Sequence, residues 1–539
     1  MRLPEPLANP DAWNLAFVYP IAKPKPWEFN LNNTRPITLL ECPRKALVKL
    51  INKRLLNILS TNNVLLGNNF AGLPFRSTFE PIHILDNLIY DHHSQQKDQL
   101  WFLFQDMSKA YDRVNMIMLQ KALQRLRLPL AFCNFITSLF SSRYNKVFTA
   151  YGTTEAYKVI SGIDQGEIIS PILWCIYYDP LLLRIQQSSL GYNLVSSRHT
   201  NIVDCTPIIT NAHVPCLAYM DDTLWLSKTK EDLNDIILIA DSFYVLNDIK
   251  VNWDKSLLLT SIPTQTQINF RMTNNNMWIL PNDPKIPVRY LGIWVSITQN
   301  KKFIYQQVKD EISTSTTTMK KKRLTDKQLS SIFNTVIIPR ILYKIQTTFL
   351  TAQFCEMIMG SFRKRFKASL HLSINTPQAV LHSSKIYNLS HLYDQQLQSK
   401  ITNIQKIVND PALLGRTALI RSYHLQNYEW LPSSPFHSWP FSKPSSFKDW
   451  WSSILSSMKL LNLSFGIQCS NSNSIKGGTL PILDVINFKL YRKISNHLRR
   501  INLMFLSQLT TSNGIYMFPF RDIHRNLRHF RQKKRPKMV

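Results

Sequence analysis

Two adjacent aspartates, Asp221 and Asp222, interrupt a pair of apolar runs in Cys216–Ser227, CLAYMDDTLWLS. That pattern predicts two short strands meeting at a tight turn that carries paired carboxylates. Like charges side by side repel and persist where a cation lies between them, so the turn reads as a metal site. A third carboxylate, Asp106, follows the purely apolar run Leu100–Phe104. A buried strand delivering an acid at its C-terminal end is where sheet enzymes place chemistry. Gly162 and Gly166 stand four residues apart in SGIDQGEIISP, ahead of a helix expected from near Pro171. Only 13 glycines occur in 539 residues, so their spacing favours a close backbone approach to a ligand; a plain loop before a core helix is the other reading. Together these signals suit phosphoryl transfer at two Mg²⁺ ions roughly 3.5–4 Å apart, with Mn²⁺ as the alternative metal. Asp106 and Asp221 would bridge both ions, and Asp222 would be a supporting acid.

The elements that must position these groups can be read from periodicity. A short strand is expected at Ala16–Tyr19 and another apolar segment at Thr38–Leu40. A helix follows with Leu47, Leu50, Ile51, Leu55, Ile58 and Leu59 on its apolar side. Its cations Arg44, Lys45, Lys49, Lys53 and Arg54 read equally as a solvated face or one turned to phosphates. Phe79–Tyr90 is an amphipathic helix, Lys146–Ala150 with Thr153–Ile160 a hairpin, and Lys230–Leu246 a helix followed by turn and strand at Asn247–Leu259. Val288–Trp294 is a further strand pair. Three helices then succeed one another at Phe303–Lys322, Asp326–Gln346 and Thr351–Leu370. The second opens on a Thr325-x-x-Gln328 capping box and is interrupted at Pro339. The third carries Phe354, Ile358, Phe362 and Phe366 as one stripe. Beyond residue 370 only 391–408 and 480–503 show helical patterning.

The 64 Lys and Arg against 34 Asp and Glu give a net charge of +30, an excess that a polyanion such as nucleic acid would neutralise. Seven cysteines, at 42, 133, 175, 205, 216, 355 and 469, are odd in number and include no Cys-x-x-Cys pair, which argues against a disulfide scaffold or zinc ribbon. Neither a signal peptide nor an 18-residue apolar span occurs, so a nuclear or cytoplasmic protein with no membrane partner is expected. The C-terminal KKRPK reads as a nucleic-acid-seeking tail or an import signal.

The order of motifs resembles the reverse transcriptases of non-LTR (LINE-like) retrotransposons, which are akin to group II intron maturases. Lys23 with Asn33–Leu40 (NTRPITLL) and Asn68–Thr78 (NNFAGLPFRST) are similar to the opening fingers motifs. Phe104–Val114 (FQDMSKAYDRV) resembles motif A, Ser161–Pro171 motif B, Tyr219–Asp222 (YMDD) motif C, Asn252–Lys255 (NWDK) motif D and Tyr290–Gly292 (YLG) motif E. The resemblance spans roughly residues 18–300. It implies an α+β right-hand polymerase: fingers and palm with an antiparallel sheet at 31–295, a helical thumb at 296–370, and a mainly helical basic region at 371–539. Residues 1–30 would form an extended leading arm.

What the resemblance implies is an RNA-directed DNA polymerase with an RNA template, a DNA primer or target DNA, and dNTPs as partners; oligomeric state stays open. The catalytic carboxylates would be Asp106, Asp221 and Asp222. Tyr111 would be the steric gate against a ribose 2′-OH, Gln165 and Gly166 would line the nucleotide and template pocket, and Lys255 would give a proton to the leaving pyrophosphate. Arg35 and Arg76 would be the fingers cations. Two positions depart from the pattern: Glu167, where a small polar residue is usual, and Met220, where Ala is commoner. No endonuclease, ribonuclease H or Cys/His knuckle is recognisable, so the chain resembles the polymerase portion of a larger element or a truncated copy. The competing reading is a non-catalytic RNA-binding or maturase-like protein retaining the fold.

Overall fold

The computed structural model describes residues 10–518, apart from 25, 96–98, 203–206, 275, 299, 444–448, 466–473, 512–513 and 515. The KKRPK tail lies outside the described residues. The chain divides into two compact units, each assembled from three separated segments. The first comprises Met1–Pro81, Asp98–Tyr192 and His213–Ile286; the second comprises Ile82–Lys97, Asn193–Ala212 and Pro287–Val539.

In the first unit a four-stranded antiparallel sheet runs in the order Lys250–Thr260, Trp101–Ser108, Asp222–Ser227, Cys216–Tyr219. Phe102 and Leu103 are fully buried and Trp101 nearly so, so the central strand lacks polar alternation because both its faces are covered. Helices Ser170–Gln186 and Lys230–Asn247 contribute Trp174, Tyr177, Ile236 and Ala240 to the same core. A second sheet sets Leu15–Ala22 between Thr34–Leu39, antiparallel, and Arg143–Thr149, parallel. Arg143–Thr149 also pairs with Gly152–Thr153 and, past a break, with Tyr157–Val159, so the expected hairpin forms in two pieces.

The helix Cys42–Thr61 is present, but its buried face differs from the expected one. Val48, Leu55 and Leu59 are buried together with Arg44 and Asn52, while Leu50 and Ile58 are exposed. A guanidinium occupies a core position because acids from elsewhere in the chain meet it there, as described below.

The second unit is mainly helical. Lys302–Lys320 packs with Ala352–Ser369, and between them Asp326–Ile332 carries the expected capping box, with Thr325 Oγ1 accepting from Gln328 N. The helix does break near Pro339, through a π-helical turn at Phe333–Ile337 that rejoins an α-helix at Ile338–Lys344. Ile358, Phe362 and Phe366 are buried, and Phe362 stacks on Phe333 at 4.3 Å. Beyond these, Leu392–Val408, Leu413–Glu429, Trp450–Leu460 and Phe488–Arg500 are helical. Buried Arg421 donates to Asp86 Oδ2 at 2.6 Å and to Asp449, with its guanidinium 4.5 Å from the Trp451 ring centre. Burial alone would raise Asp86; Arg421 outweighs it and holds the carboxyl below its ordinary value. Among the described residues no helix is long and apolar enough to cross a membrane.

Candidate active site

The site is built on the central sheet of the first unit. Asp222 pairs with Tyr219 across the turn, leaving Met220 and Asp221 as its two loop residues. Met220 has φ of 56°, a left-handed conformation that costs a residue with a Cβ roughly 1–2 kcal/mol. Backbone strain of this kind collects where geometry matters for function. The adjacent strand pairs Gln105 with Thr223 and Asn252 with Asp106, so Asp106 lies beside the turn.

The three carboxyls sense one another. Asp221 is held above the ordinary carboxylate value by burial and then by Asp106, against its own backbone N–H and the opposing pull of Arg35. Asp222, more exposed as a residue, is pushed up to about 6 by the enclosed surroundings of its carboxyl, then by Asp221, then by Asp106. Lys255 Nζ donates to Asp106 Oδ2 at 3.2 Å. It reaches there from an irregularity in the ladder between Asn252 and Leu257, a bulge that re-aims the side chain toward the site.

Beneath the carboxylates a buried hydrogen-bond network locks the strands. Gln105 Oε1 accepts from Trp225 Nε1 at 2.9 Å and from Tyr244 OH at 2.7 Å; Tyr244 OH lies 2.9 Å from Tyr178 OH, itself 3.2 Å from Thr223 Oγ1. Gln105 and Thr223 are the immediate neighbours of Asp106 and Asp222, so the network fixes the backbone from which both acids project. Sequence reading passed over these residues. The one available signal was a polar Gln105 inside an otherwise apolar strand.

Tyr111 is half-buried. Its OH donates to Met220 Sδ at 3.7 Å and its ring meets Trp174 edge-on at 6.1 Å; burial and then Asp221 push its hydroxyl well above the usual value. Gln165 Nε2 donates to Asp112 Oδ1 at 3.3 Å, and the Gln165 backbone carbonyl accepts from Thr38 N at 2.7 Å. Gly166 has φ of 136°, and a Cβ there would lie 2.4 Å from the Thr38 carbonyl, so this glycine is dictated by close packing on the strand Thr34–Leu39. Arg76 stands over the Phe70 ring at 5.8 Å. That places it on the loop whose Phe70 N donates to Ala218 O in the strand leading to the turn, while Arg35, on the strand Thr34–Leu39, acts electrostatically on Asp221.

Glu167 is not turned toward the carboxylates. It is buried, with Arg44 Nε donating to its Oε2 at 3.0 Å. Arg44 also donates to Trp13 O, Leu139 O and Asp164 Oδ2, and Asp164 accepts from buried Arg143. Arg143 in turn donates to Gly162 O at 2.6 Å, while Ile163 N donates to Tyr111 O at 2.8 Å. Two arginines and two acids thus clamp the glycine loop and, through Ile163, the backbone of Tyr111. The acid that looked out of place in the motif is half of a buried ion pair.

Among the described residues no three His, Cys, Asp or Glu side chains are disposed to hold a metal unaided. Mg²⁺ is commonly held by one or two carboxylates, with substrate phosphates and water completing its shell, and the coupled pair Asp106 and Asp221 fits such an ion.

The family described as reverse transcriptase (RNA-dependent DNA polymerase) matches residues 21–295, half of the chain. The chain belongs to the reverse transcriptase family. All the motif residues just described fall within that match, and the family generally uses divalent metal ions. The retrovirus-related Pol polyprotein from type-1 retrotransposable element R2 of Popillia japonica is 24% identical over 362 residues, 66% of this chain and 47% of that protein. A probable RNA-directed DNA polymerase from transposon X-element of Drosophila melanogaster is 27% identical over 169 residues, 31% of this chain and 18% of that protein. This reverse transcriptase spans about half the length of the first of these relatives. Telomerase from Candida albicans, solved with a telomeric RNA fragment, is a more distant likeness: 14% identity, 77% of this chain, 62% of that one and a TM-score of 0.40. The expected resemblance to non-LTR retrotransposon enzymes is therefore borne out by the relatives.

Proposed function

We propose that the chain is an RNA-directed DNA polymerase that adds deoxynucleotides to a primer 3′ hydroxyl on an RNA template, in the copying of a retrotransposon. The observation that carries this reading is the electrostatic coupling of Asp106, Asp221 and Asp222 at the end of one sheet, in a chain whose family match spans the same strands. Fingers and palm are assigned to 31–295 and a helical thumb to 296–370.

Mg²⁺ bound there, with Mn²⁺ as the alternative, would acidify the attacking hydroxyl and offset charge on the phosphates. Asp106 and Asp221 are the residues to hold it, with Asp222 as a supporting acid that carries a proton below about pH 6. Arg35 acts electrostatically on Asp221 and is assigned to the triphosphate. Tyr111, braced by Met220 and Trp174, would exclude a ribose 2′-OH, and Gln165 and Gly166 would form the floor of the nucleotide and template pocket. Lys255, held at Asp106, is positioned on the exposed side to donate a proton to pyrophosphate. Arg76 belongs to the neighbouring loop as a template contact.

Primer extension with dNTPs on an RNA template tests the reading. Asp221→Ala should lower the rate about a thousandfold, some 4 kcal/mol of transition-state stabilisation. Equal extension by the wild type and the variant refutes the polymerase and leaves a nucleic-acid-binding protein.

A further inference from the structure

The helix Phe488–Arg500 in the second unit carries Lys489, Arg492, Lys493, Arg499 and Arg500 and no acidic residue. Tyr491, Ser495 and Leu498 are buried and define its inner face. At 100° per residue, Lys489, Lys493, Asn496 and Arg500 fall in one line opposite that face, and all four are exposed. Arg492 and Arg499 flank the line and are engaged elsewhere. Arg492 lies 4.1 Å from the Phe441 ring centre and donates to Lys443 O; Arg499 donates to Asn427 O and to Asn496 Oδ1 at 2.9 Å. Among the described residues no ion pair involves Lys489, Lys493 or Arg500.

Three outward cations therefore stand along about 16 Å of one rigid helix, at 1.5 Å per residue. Isolated surface lysines scatter. Here the spacing is held by a backbone whose inner face is anchored in the core, and the aligned Asn496 adds a neutral hydrogen-bonding group in place of an acid. We infer that this ridge is a binding surface for the phosphate backbone of a double-helical nucleic acid, separate from the polymerase carboxylates. A duplex presents phosphates in a fixed row that a straight ridge can match, whereas a single strand bends to any surface and gains nothing from the alignment. The inference rests on the polymerase reading for the identity of the polyanion. An RNA–DNA hybrid is the product of the polymerase site itself, so the second surface is assigned to a DNA duplex.

The test measures binding by the full chain in EDTA, so that it reads the ridge whether or not the protein polymerises. Affinities for a 20-base-pair DNA duplex, a hybrid of the same sequence and the single strands are followed against salt. The ridge variant is Lys489→Gln with Lys493→Gln and Arg500→Gln. A control removes the same charge from exposed, scattered positions, Lys285→Gln with Lys309→Gln and Lys406→Gln. Each lost phosphate contact lowers the log–log salt slope by about 0.9 on B-DNA, so the ridge variant should lose roughly 2–3 units while the control loses under about 1. Loss on the DNA duplex supports the ridge, and a loss confined to the hybrid overturns it. An unchanged slope, an equal loss in the control, or a loss confined to single strands overturns it. Thermal melting of both variants checks folding, and surface changes of this kind should leave the melting temperature close to that of the wild type.

Discussion

Replacing Arg44 by Met exposes the logic of the buried clamp on the glycine loop. Arg44 and Glu167 have side chains 2% and 0% exposed, and Arg44 also serves Asp164 and two carbonyls. Removing one partner of a buried ion pair costs about 3–5 kcal/mol, because the remaining charge has lost both water and its counterion. Arg44→Met should therefore destabilise the first unit by about that amount. Glu167→Gln should cost far less: Gln still offers an oxygen to Arg44 Nε, and burial already pushes the Glu167 carboxyl up despite Arg44. The double variant removes both charges, so it should recover much of the Arg44→Met loss, with a coupling of about 1–3 kcal/mol. The pH dependence has a definite sign. A carboxyl raised in the folded state contributes stability that is full below its unfolded value of 4.5 and lost as pH rises through the folded value. Without Arg44 that loss should be larger and should disappear again in the double variant. Hydrogen exchange of peptides covering 160–170 isolates this unit from the other. Strict additivity, within about 0.5 kcal/mol, would refute the claim that the two residues act as a pair.

Three further outcomes are expected. Asp222, raised to about 6, contributes to folding most fully below 3.8 and loses that contribution as pH rises through about 6; in chelator, the melting temperature difference between pH 5 and pH 7 should shrink in Asp222→Asn. Saturating Mg²⁺ should shrink it likewise in the wild type. Lys255→Met should leave the melting temperature nearly unchanged, since the side chain is 65% exposed, while lowering kcat about a hundredfold in single-turnover extension; an unchanged kcat removes Lys255 from proton transfer. Arg421→Met should destabilise the second unit by about 3–5 kcal/mol by stranding Asp86 and Asp449, whereas a urea midpoint within experimental error of wild type would show those acids find other partners.

The catalytic turn was legible because its information is local: two acids between apolar strands need no distant partner to be recognised. The same holds for the Thr325–Gln328 capping box, where two residues three positions apart satisfy each other. Arg44 was misjudged for the opposite reason, since its acid Glu167 lies 123 residues away and nothing near it in sequence announces burial. The helix Leu413–Glu429 escaped notice because Leu414, Thr417, Ala418, Ile420, Arg421, Ser422 and Leu425 are buried around most of its circumference, so no apolar stripe repeats. Of the nine candidate site residues, Asp106, Asp221, Asp222, Lys255, Arg35 and Tyr111 are linked by hydrogen bonds or electrostatics. Gln165 and Gly166 are joined to the strand of Arg35 through Thr38, and Arg76 sits on its own loop.

The strand order of the central sheet sets a timetable for synthesis. Trp101–Ser108 is made first yet lies in the middle, and its two flanking strands, Asp222–Ser227 and Lys250–Thr260, emerge far later. At about 5–20 residues per second, the apolar segment Trp101–Phe104 waits roughly 6–24 s on the ribosome with both edges open, until Asp222–Ser227 has been made. An unpaired apolar strand is a template for aggregation. Newly made chains should accordingly depend on chaperone capture over that interval, and slowing translation between codons 108 and 250 should lower the soluble yield.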